Sequence, residues 1–169
     1  MIAKPRLHHY LATVTWTGAE AGSTRTYAGY SRNHAISVDG KPPLEGSADP
    51  AFRGSASRYN PEELLVAALS ACHLLSYLAL CARAGIAVVS YVDRAEGEMT
   101  ETAGVGRFTR AVLRPHVTIE DDRHVERAFE LHDRAREECF IANSVSFKVE
   151  HEPLVEGPTQ RRGDAPGAS

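Results

Sequence analysis

The sequence is poor in cysteine and carries little excess charge. Three cysteines in 169 residues are an odd number and too few for a disulfide-stabilised scaffold. A formal net charge of -3 at pH 7 does not suggest a nucleic-acid-binding protein. The first residues contain no apolar stretch of the kind found in secretory signals. We therefore expect a cytoplasmic protein in a reducing compartment, where a cysteine is more often reactive or buried than crosslinked.

Common catalytic and metal-binding patterns are also absent. The sequence has no C-x-x-C, H-E-x-x-H or G-x-S-x-G pattern and no glycine-rich phosphate loop. Eight histidines are many for this length, but their spacing is poor for a metal. Cys72 and His73 are adjacent, while His132 and Cys139 would lie two helical turns apart, too far for one zinc ion. We expect neither a metal nor an organic cofactor.

The composition is that of an ordinary globular protein, with 43% hydrophobic and 24% charged residues. This balance excludes a wholly disordered chain, a collagen and a coiled-coil rod. The length fits one domain, which we place at residues 1–156. Residues 157–169 are rich in glycine, proline and arginine, and we expect them to form a disordered tail.

The hydrophobic pattern predicts an α+β fold with the order β-β-β, helix, β-β, helix, β. Such an order favours a mostly antiparallel sheet packed in two layers against helices. The predicted strands are residues 10–16, 25–30, 34–38, 87–100, 107–119 and 144–151, the predicted helices are residues 61–84 and 122–139, and residues 39–59 form a long loop.

The predicted helix over residues 61–84 is apolar nearly all round. Asn60 can cap its start, Pro61 suits the first helical position and Gly85 suits its end. The run approaches the length of a membrane span, but polar residues interrupt it and no second span exists, so we reject that interpretation. A helix apolar on all sides is buried on all sides. A chain of this size cannot easily cover every side of such a helix alone, so we expect a homodimer.

Two of the three cysteines are candidates for a redox pair. Cys72 lies in the middle of the first helix, and Cys139 ends the apolar stripe of the second. Cys81 lies nine residues beyond Cys72, on the opposite helix face, so these two cannot pair within one helix. The other interpretation of Cys72 is a small buried hydrophobe. A hydrolase with His73 or His132 as base is a further alternative, but His73 points about 100° away from Cys72 around the helix.

A reactive Cys72 must be held as the thiolate, which is the nucleophile. The helix dipole acts in the first turn and gives little help in mid-helix, so a nearby cation is needed. Arg53 and Arg58, in the preceding loop, are the nearest arginines of the right kind. A carboxylate from Glu62 or Glu63 could hold such an arginine in place. Glu62 lies ten residues before Cys72, about 15 Å along one helix, so a carboxylate from a two-fold partner fits better.

Two sequence runs closely resemble one known family. NPEELLVAALSAC, over residues 60–72, resembles the N-P-E-E-L…A-A-C helix of the OsmC/Ohr family, the osmotically inducible protein C and organic hydroperoxide resistance proteins. AREECFIAN, over residues 135–143, resembles that family's second cysteine motif, and the spacing between the cysteines also suits it. The resemblance covers about residues 9–154 and implies a two-layer α+β fold, built as an intertwined homodimer around a long buried central helix.

The same resemblance implies a thiol peroxidase that reduces organic hydroperoxides in oxidative stress defence, with a lipoyl or similar dithiol as reductant. Cys72 matches the peroxidatic cysteine, Cys139 the resolving cysteine, and Glu62 the carboxylate that holds an activating arginine. Arg53 fits the position of that arginine best. The other candidates are Arg58, from the same loop, and Arg32 and Arg25, from the earlier loop that the Ohr branch uses.

The sequence departs from the family pattern at three places. His73 stands where phenylalanine is usual, Phe140 stands where proline is usual, and residues 40–43 carry the added run GKPP. These differences indicate an OsmC-like side branch. The alternative from another functional class is a non-catalytic dimer. It would bind an apolar ligand in the cavity where a peroxidase would bind its hydroperoxide.

Overall fold

The computed structural model describes residues 6–161 and confirms the α+β fold class. The chain divides into two compact units, one ending at Leu64 and the other beginning at Leu65. One domain over residues 1–156 stays a prediction, because compact units are not by themselves independent domains. In the first unit the elements are β1 (Thr13–Trp16), β2 (His34–Ser37), β3 (Leu44–Gly46) and the start of α1 (Pro61–Arg83). In the second they are β4 (Val88–Asp93), β5 (Glu96–Thr102), β6 (Val105–Leu113), β7 (Pro115–Ile119), α2 (Val125–Glu138), β8 (Lys148–His151), β9 (Leu154–Glu156) and α3 (Pro158–Arg161).

The three strands of the first unit form one antiparallel sheet in the order β1-β2-β3. The long loop predicted at residues 39–59 is partly regular, since it contains β3 and a 3-10 turn at Pro50–Phe52. The strand predicted over residues 25–30 is wrong, because the chain turns there. The carbonyl groups of Tyr27 and Tyr30 accept hydrogen bonds from the Arg32 guanidinium, so they are not available to a strand ladder.

Both ends of α1 carry the predicted caps. The Glu63 backbone N–H donates to Asn60 Oδ1 at 2.7 Å, and the Asn60 N–H donates to the Glu63 carboxylate at 3.2 Å. This capping box satisfies two of the amide groups that the start of a helix leaves unpaired. At the other end Gly85 has a φ of 72°, and the Ile86 N–H donates to the Cys81 carbonyl at 2.9 Å. The glycine therefore closes α1 with a Schellman motif.

The second unit buries one stripe of α1. Leu69, His73, Tyr77 and Cys81 recur every four residues, and none is more than 1% exposed. Leu75, on another face, is 67% exposed. The helix is long and apolar enough to cross a membrane, with 22% of its most apolar stretch buried, but the core helix of a soluble protein passes the same test. Within the chain, α1 is thus not buried on all sides, and its cover by a second copy stays a prediction.

The six strands of the second unit form two sheets, in the orders β4-β7-β9 and β5-β6-β8. The pairs β4·β7 and β5·β6 are antiparallel, whereas β8 adds in parallel to β6 and β9 adds in parallel to β7. Each long strand predicted over residues 87–100 and 107–119 is therefore split into two strands that belong to different sheets. The predictions did not include β9, whose three residues are too few to show a period.

Asp93 stabilises the place where the chain passes from one sheet to the other. Its Oδ1 accepts a hydrogen bond from the Arg114 backbone N–H at 2.7 Å, and its Oδ2 accepts one from Ser70 Oγ at 2.6 Å. Because Arg114 bonds to a side chain at this point, β6 can end and β7 can begin in the other sheet. The carboxylate also fixes this crossing to α1.

The second predicted helix is confirmed as α2, which follows a 3-10 turn at Asp122–His124. Its buried face includes Ala128, His132 and Ala135, and Cys139 follows its last turn. The helical turn α3 departs from the disorder predicted for residues 157–169. The remainder of that predicted tail, residues 162–169, lies outside the described residues.

Candidate active site

The Cys72 thiol lines a surface cavity of about 540 Å³ in the second unit. The α1 residues along it recur at spacings of three and four, so they share one helix face. The side chain of Cys72 is half-buried, so a small molecule can reach its sulfur without the helix unfolding. The lining residues are Cys72, Leu75, Ser76, Ala79 and Arg83 from α1, with Glu138 at the end of α2 and Phe140 just beyond it.

Cys139 lies beside Cys72 and is only 1% exposed. Burial, and to a lesser extent a hydrogen bond with Cys72, raises the pKa of the Cys139 thiol from 9.0 to about 11. The Cys139 thiol therefore keeps its proton at neutral pH and can donate it toward the Cys72 sulfur. The structure thus brings together the two cysteines that the sequence predicts as a redox pair.

The third cysteine has a different environment. Cys81 is 1% exposed and packs in a hydrophobic cluster with Tyr77 and Ile86. Burial raises the pKa of its thiol, so the neutral form is favoured. This placement agrees with the prediction that Cys81 lies on the helix face opposite Cys72, and it makes Cys81 an internal control for labelling experiments.

Glu62 lines a cavity of about 410 Å³ within the first unit. Arg32 lines the same cavity, and its guanidinium carbon lies 3.9 Å from the centre of the Tyr30 ring and 4.7 Å from that of Tyr27. The guanidinium is therefore held by aromatic faces as well as by the two carbonyl groups described above. Trp16 and Phe52 give the cavity an apolar wall.

The other candidate arginines lie elsewhere in the first unit. Arg53 has a φ of 65° at the end of a 3-10 turn, and it is not among the described residues that line the Glu62 cavity. Arg58 forms a salt bridge with Glu45 at 2.7 Å. Glu62 is therefore grouped with Arg32 rather than with Arg53, which fitted the family pattern best.

A cluster of histidines in the second unit was not predicted. His73 and His132 are hydrogen-bonded at 3.0 Å, and His151 packs against His73. The sequence carried two signals of this cluster. His73 departs from the family pattern, and His132 lies in the apolar stripe of α2. Among residues 6–161, no group of three or more His, Cys, Asp or Glu side chains is arranged to hold a metal ion.

Comparison with known proteins gives the family. A family profile described as OsmC-like protein matches residues 54–153, more than half of the chain. The chain belongs to the OsmC-like family, which confirms the resemblance drawn from the two cysteine motifs.

Individual proteins are similar to this chain over most of its length. An OsmC-like protein of unknown function from Vibrio cholerae is 33% identical, with a TM-score of 0.80 over 88% of this chain and 100% of that one. An organic hydroperoxide resistance protein from Elizabethkingia anophelis shares the fold at 20% identity, with a TM-score of 0.64 over 91% of this chain and 99% of that one. The uncharacterized protein YmaD of Bacillus subtilis is 23% identical over 85% of this chain and 90% of its own length.

Proposed function

We propose that the protein is a thiol-dependent peroxidase that reduces organic hydroperoxides in oxidative stress defence. The observation that carries the proposal is the pair formed by a half-buried thiol that lines a cavity and a fully buried thiol beside it. The fold shared with a protein named for organic hydroperoxide resistance supports the substrate class.

The first step takes place at Cys72. Its thiolate attacks the terminal oxygen of the hydroperoxide, the O–O bond breaks, and the alcohol leaves after taking up a proton. Cys72 becomes a sulfenic acid, and the peroxide has accepted two electrons. The apolar side chains of Leu75, Ala79 and Phe140 favour an organic group on the peroxide.

The second step takes place between the two cysteines. The Cys139 sulfur attacks the Cys72 sulfenic sulfur, a disulfide forms, and water leaves with the Cys139 proton. A dithiol then reduces the disulfide by two exchange reactions, which return both thiols. A lipoyl or similar dithiol is the expected reductant, and neither a metal nor an organic cofactor takes part.

The thiolate requires a cation, and the first unit supplies a candidate pair. Glu62 and Arg32 line one cavity, which supports Arg32 as the activating arginine, ahead of Arg53. Because Glu62 and Cys72 lie ten residues apart on one helix, we propose that the arginine and its carboxylate act on the Cys72 of a second copy.

Apolar side chains that one chain leaves exposed also support a homodimer. Leu75 on α1 is 67% exposed and Phe140 after α2 is 76% exposed. Apolar side chains exposed close together commonly mark an interface. The dimer and a cytoplasmic location complete the proposal.

One measurement tests the chemistry. The reduced protein is treated with one equivalent of an organic hydroperoxide, alkylated under denaturing conditions and weighed intact. We expect a loss of two hydrogens with Cys72 and Cys139 protected and Cys81 still alkylated. A gain of one oxygen without a disulfide would point to a one-cysteine enzyme. No change in mass would favour the alternative, a non-catalytic dimer that binds an apolar ligand in the Cys72 cavity.

A further inference from the structure

Three histidines from three elements meet in the interior of the second unit. His73 belongs to α1, His132 to α2, and His151 is the last residue of β8. His73 and His132 are 0% and 2% exposed. The centre of the His73 ring lies 5.3 Å from that of His132 and 4.4 Å from that of His151.

The rings of His73 and His132 meet edge to edge. His73 Nε2 and His132 Nδ1 are 3.0 Å apart, and the two ring planes differ by 12°. With ring centres 5.3 Å apart, the rings lie side by side in nearly one plane, as an N–H···N hydrogen bond requires. One nitrogen donates and the other accepts, so a proton added to both rings would place two N–H groups head to head.

Among the described residues, none accepts a hydrogen bond from the outer nitrogens of this pair. The Tyr77 ring stacks on His132 with centres 3.9 Å apart. His73 Nδ1 and His132 Nε2 are buried, and neither has a hydrogen-bond partner in the described part of the chain. A positive charge would therefore be buried without an acceptor for its N–H group, which is costly.

The charged side chains near the cluster act electrostatically on His151. Asp93 at the end of β4 and Asp133 on α2 favour a positive charge there, whereas Arg136 on α2 opposes it. Burial, together with Arg136, outweighs the two aspartates and lowers the pKa of His151.

The pair itself resists protonation more strongly. Burial first, and then the neighbouring histidines, lower the pKa of His73 from 6.5 to about 3. Burial first, and then the neighbouring His151, lower the pKa of His132 from 6.5 to about 3. Both rings are therefore neutral in the folded protein at physiological pH.

We propose that His73 and His132 are positioning residues that hold α1, which carries Cys72, and α2, which leads into Cys139, together while both rings are neutral and release them in acid. Cys72 directly precedes His73 on α1, and Cys139 lies seven residues after His132, just beyond α2. The histidine bond thus joins the two elements that must stay together for Cys139 to remain beside Cys72. The proposal rests on the proposed function, because it is the disulfide step that requires Cys72 and Cys139 to stay together.

The size of the effect follows from the pKa values. In the closed arrangement His73 and His132 bind protons only near pH 3, whereas released rings bind them below about pH 6.5. Lowering the pH through this window therefore favours release. For two rings, the ratio of closed to released protein falls about 100-fold between pH 7.5 and pH 5.5.

Protection of Cys139 against 4,4′-dithiodipyridine measures this ratio. The reaction is followed in the Cys72→Ser chain, with labelled sites assigned by mass. Its rate is divided by that of the urea-unfolded chain at the same pH, which cancels the ionisation of the thiol itself. We expect the protection of Cys139 to fall about 100-fold from pH 7.5 to pH 5.5.

The matched variant is His73→Gln with His132→Asn, whose amides can hydrogen-bond near the same positions but do not titrate in this range. Its Cys139 protection should fall much less than that of the parent over the same pH interval, because only His151 of the cluster is left to bind a proton on release. His9→Gln, at an exposed histidine of the first unit, should behave like its parent. An equal fall in the amide variant, or no fall in the parent, would overturn the proposal.

A measurement on the unaltered chain keeps the proposal testable if the amide variant does not fold. ¹⁵N shifts of the histidine rings should show neutral His73 and His132 in the folded protein at pH 5.5. A cationic ring at either position would overturn the proposal. Neither experiment contains peroxide, so a failure of the proposed peroxidase activity would leave both results unchanged.

Discussion

The burial of Cys139 makes a quantitative prediction for the rate of disulfide formation. Its pKa of about 11, raised from 9.0 by burial and by contact with Cys72, leaves about 0.03% of the thiol ionised at pH 7.5. A cysteine with the ordinary value would be about 3% ionised. The smaller thiolate fraction alone would slow the second step about 100-fold relative to an unburied thiol at equal proximity, but a thiolate of higher pKa is about tenfold more nucleophilic, so we expect the step to be about tenfold slower.

The high pKa of Cys139 also makes disulfide formation depend steeply on pH. The thiolate fraction rises tenfold for each pH unit below the pKa, so the rate of disulfide formation should rise about tenfold per unit from pH 7 to pH 10. The assay mixes the reduced protein rapidly with one equivalent of an organic hydroperoxide and quenches it by alkylation at set times. Intact mass then separates the sulfenic acid, which has gained one oxygen, from the disulfide, which has lost two hydrogens.

Two controls make the pH profile decisive. Cys81→Ser should leave it unchanged, since Cys81 is buried apart from the pair. Cys139→Ser should keep a fast first turnover but accumulate the sulfenic acid, which over-oxidises at high peroxide. A rate of disulfide formation that levels off between pH 8 and pH 9 would refute the reasoning, because an ordinary thiol is then the attacking group.

The remaining predictions concern single side chains. Cys72→Ser should abolish peroxide consumption in a coupled assay while the far-UV spectrum stays native, since serine is nearly isosteric; retained turnover would mean another nucleophile. Arg32→Ala should slow the reaction of Cys72 with peroxide by about tenfold or more, and Arg53→Ala should not, as stopped-flow kinetics would show; the reverse order would return the role to Arg53. Asp93→Ala should lower the free energy of unfolding in urea by about 3 kcal/mol through its two lost hydrogen bonds, and a loss below about 1 kcal/mol would contradict the role given to this carboxylate.

Features that depend on neighbouring residues could be predicted from the sequence. Asn60, three residues before Glu63, specifies the capping box, and Gly85 specifies the end of α1. The approximate extents of α1 and α2 follow from such local signals together with the hydrophobic period. The meeting of Cys72 with Cys139 depends on tertiary packing, and it could be anticipated only because each motif resembles a family that pairs them.

Features that depend on side chains far apart in the sequence could not be predicted. Residues 25–30 form a short strand-like run in the sequence, but the Arg32 guanidinium binds two carbonyl groups there, and a short pattern does not report such competition. The long strands break where Asp93 accepts the Arg114 amide, although hydrophobic alternation continues through the break. His73 departs from the family pattern without showing that its partner is His132, because the bond spans 59 residues.

The hydrophobic pattern of α1 predicts more burial than this chain alone provides. The apolar residues around its circumference predict burial on every side, yet the second unit buries only the stripe that repeats every four residues from Leu69 to Cys81. Hydrophobic periodicity reports which side chains avoid water, but it does not report which molecule covers them. The apolar residues left exposed include Leu75, which lies on the helix face that also carries Cys72. The proposed homodimer would place a second copy over this face, so the exposed fraction of Leu75 should fall when two copies associate.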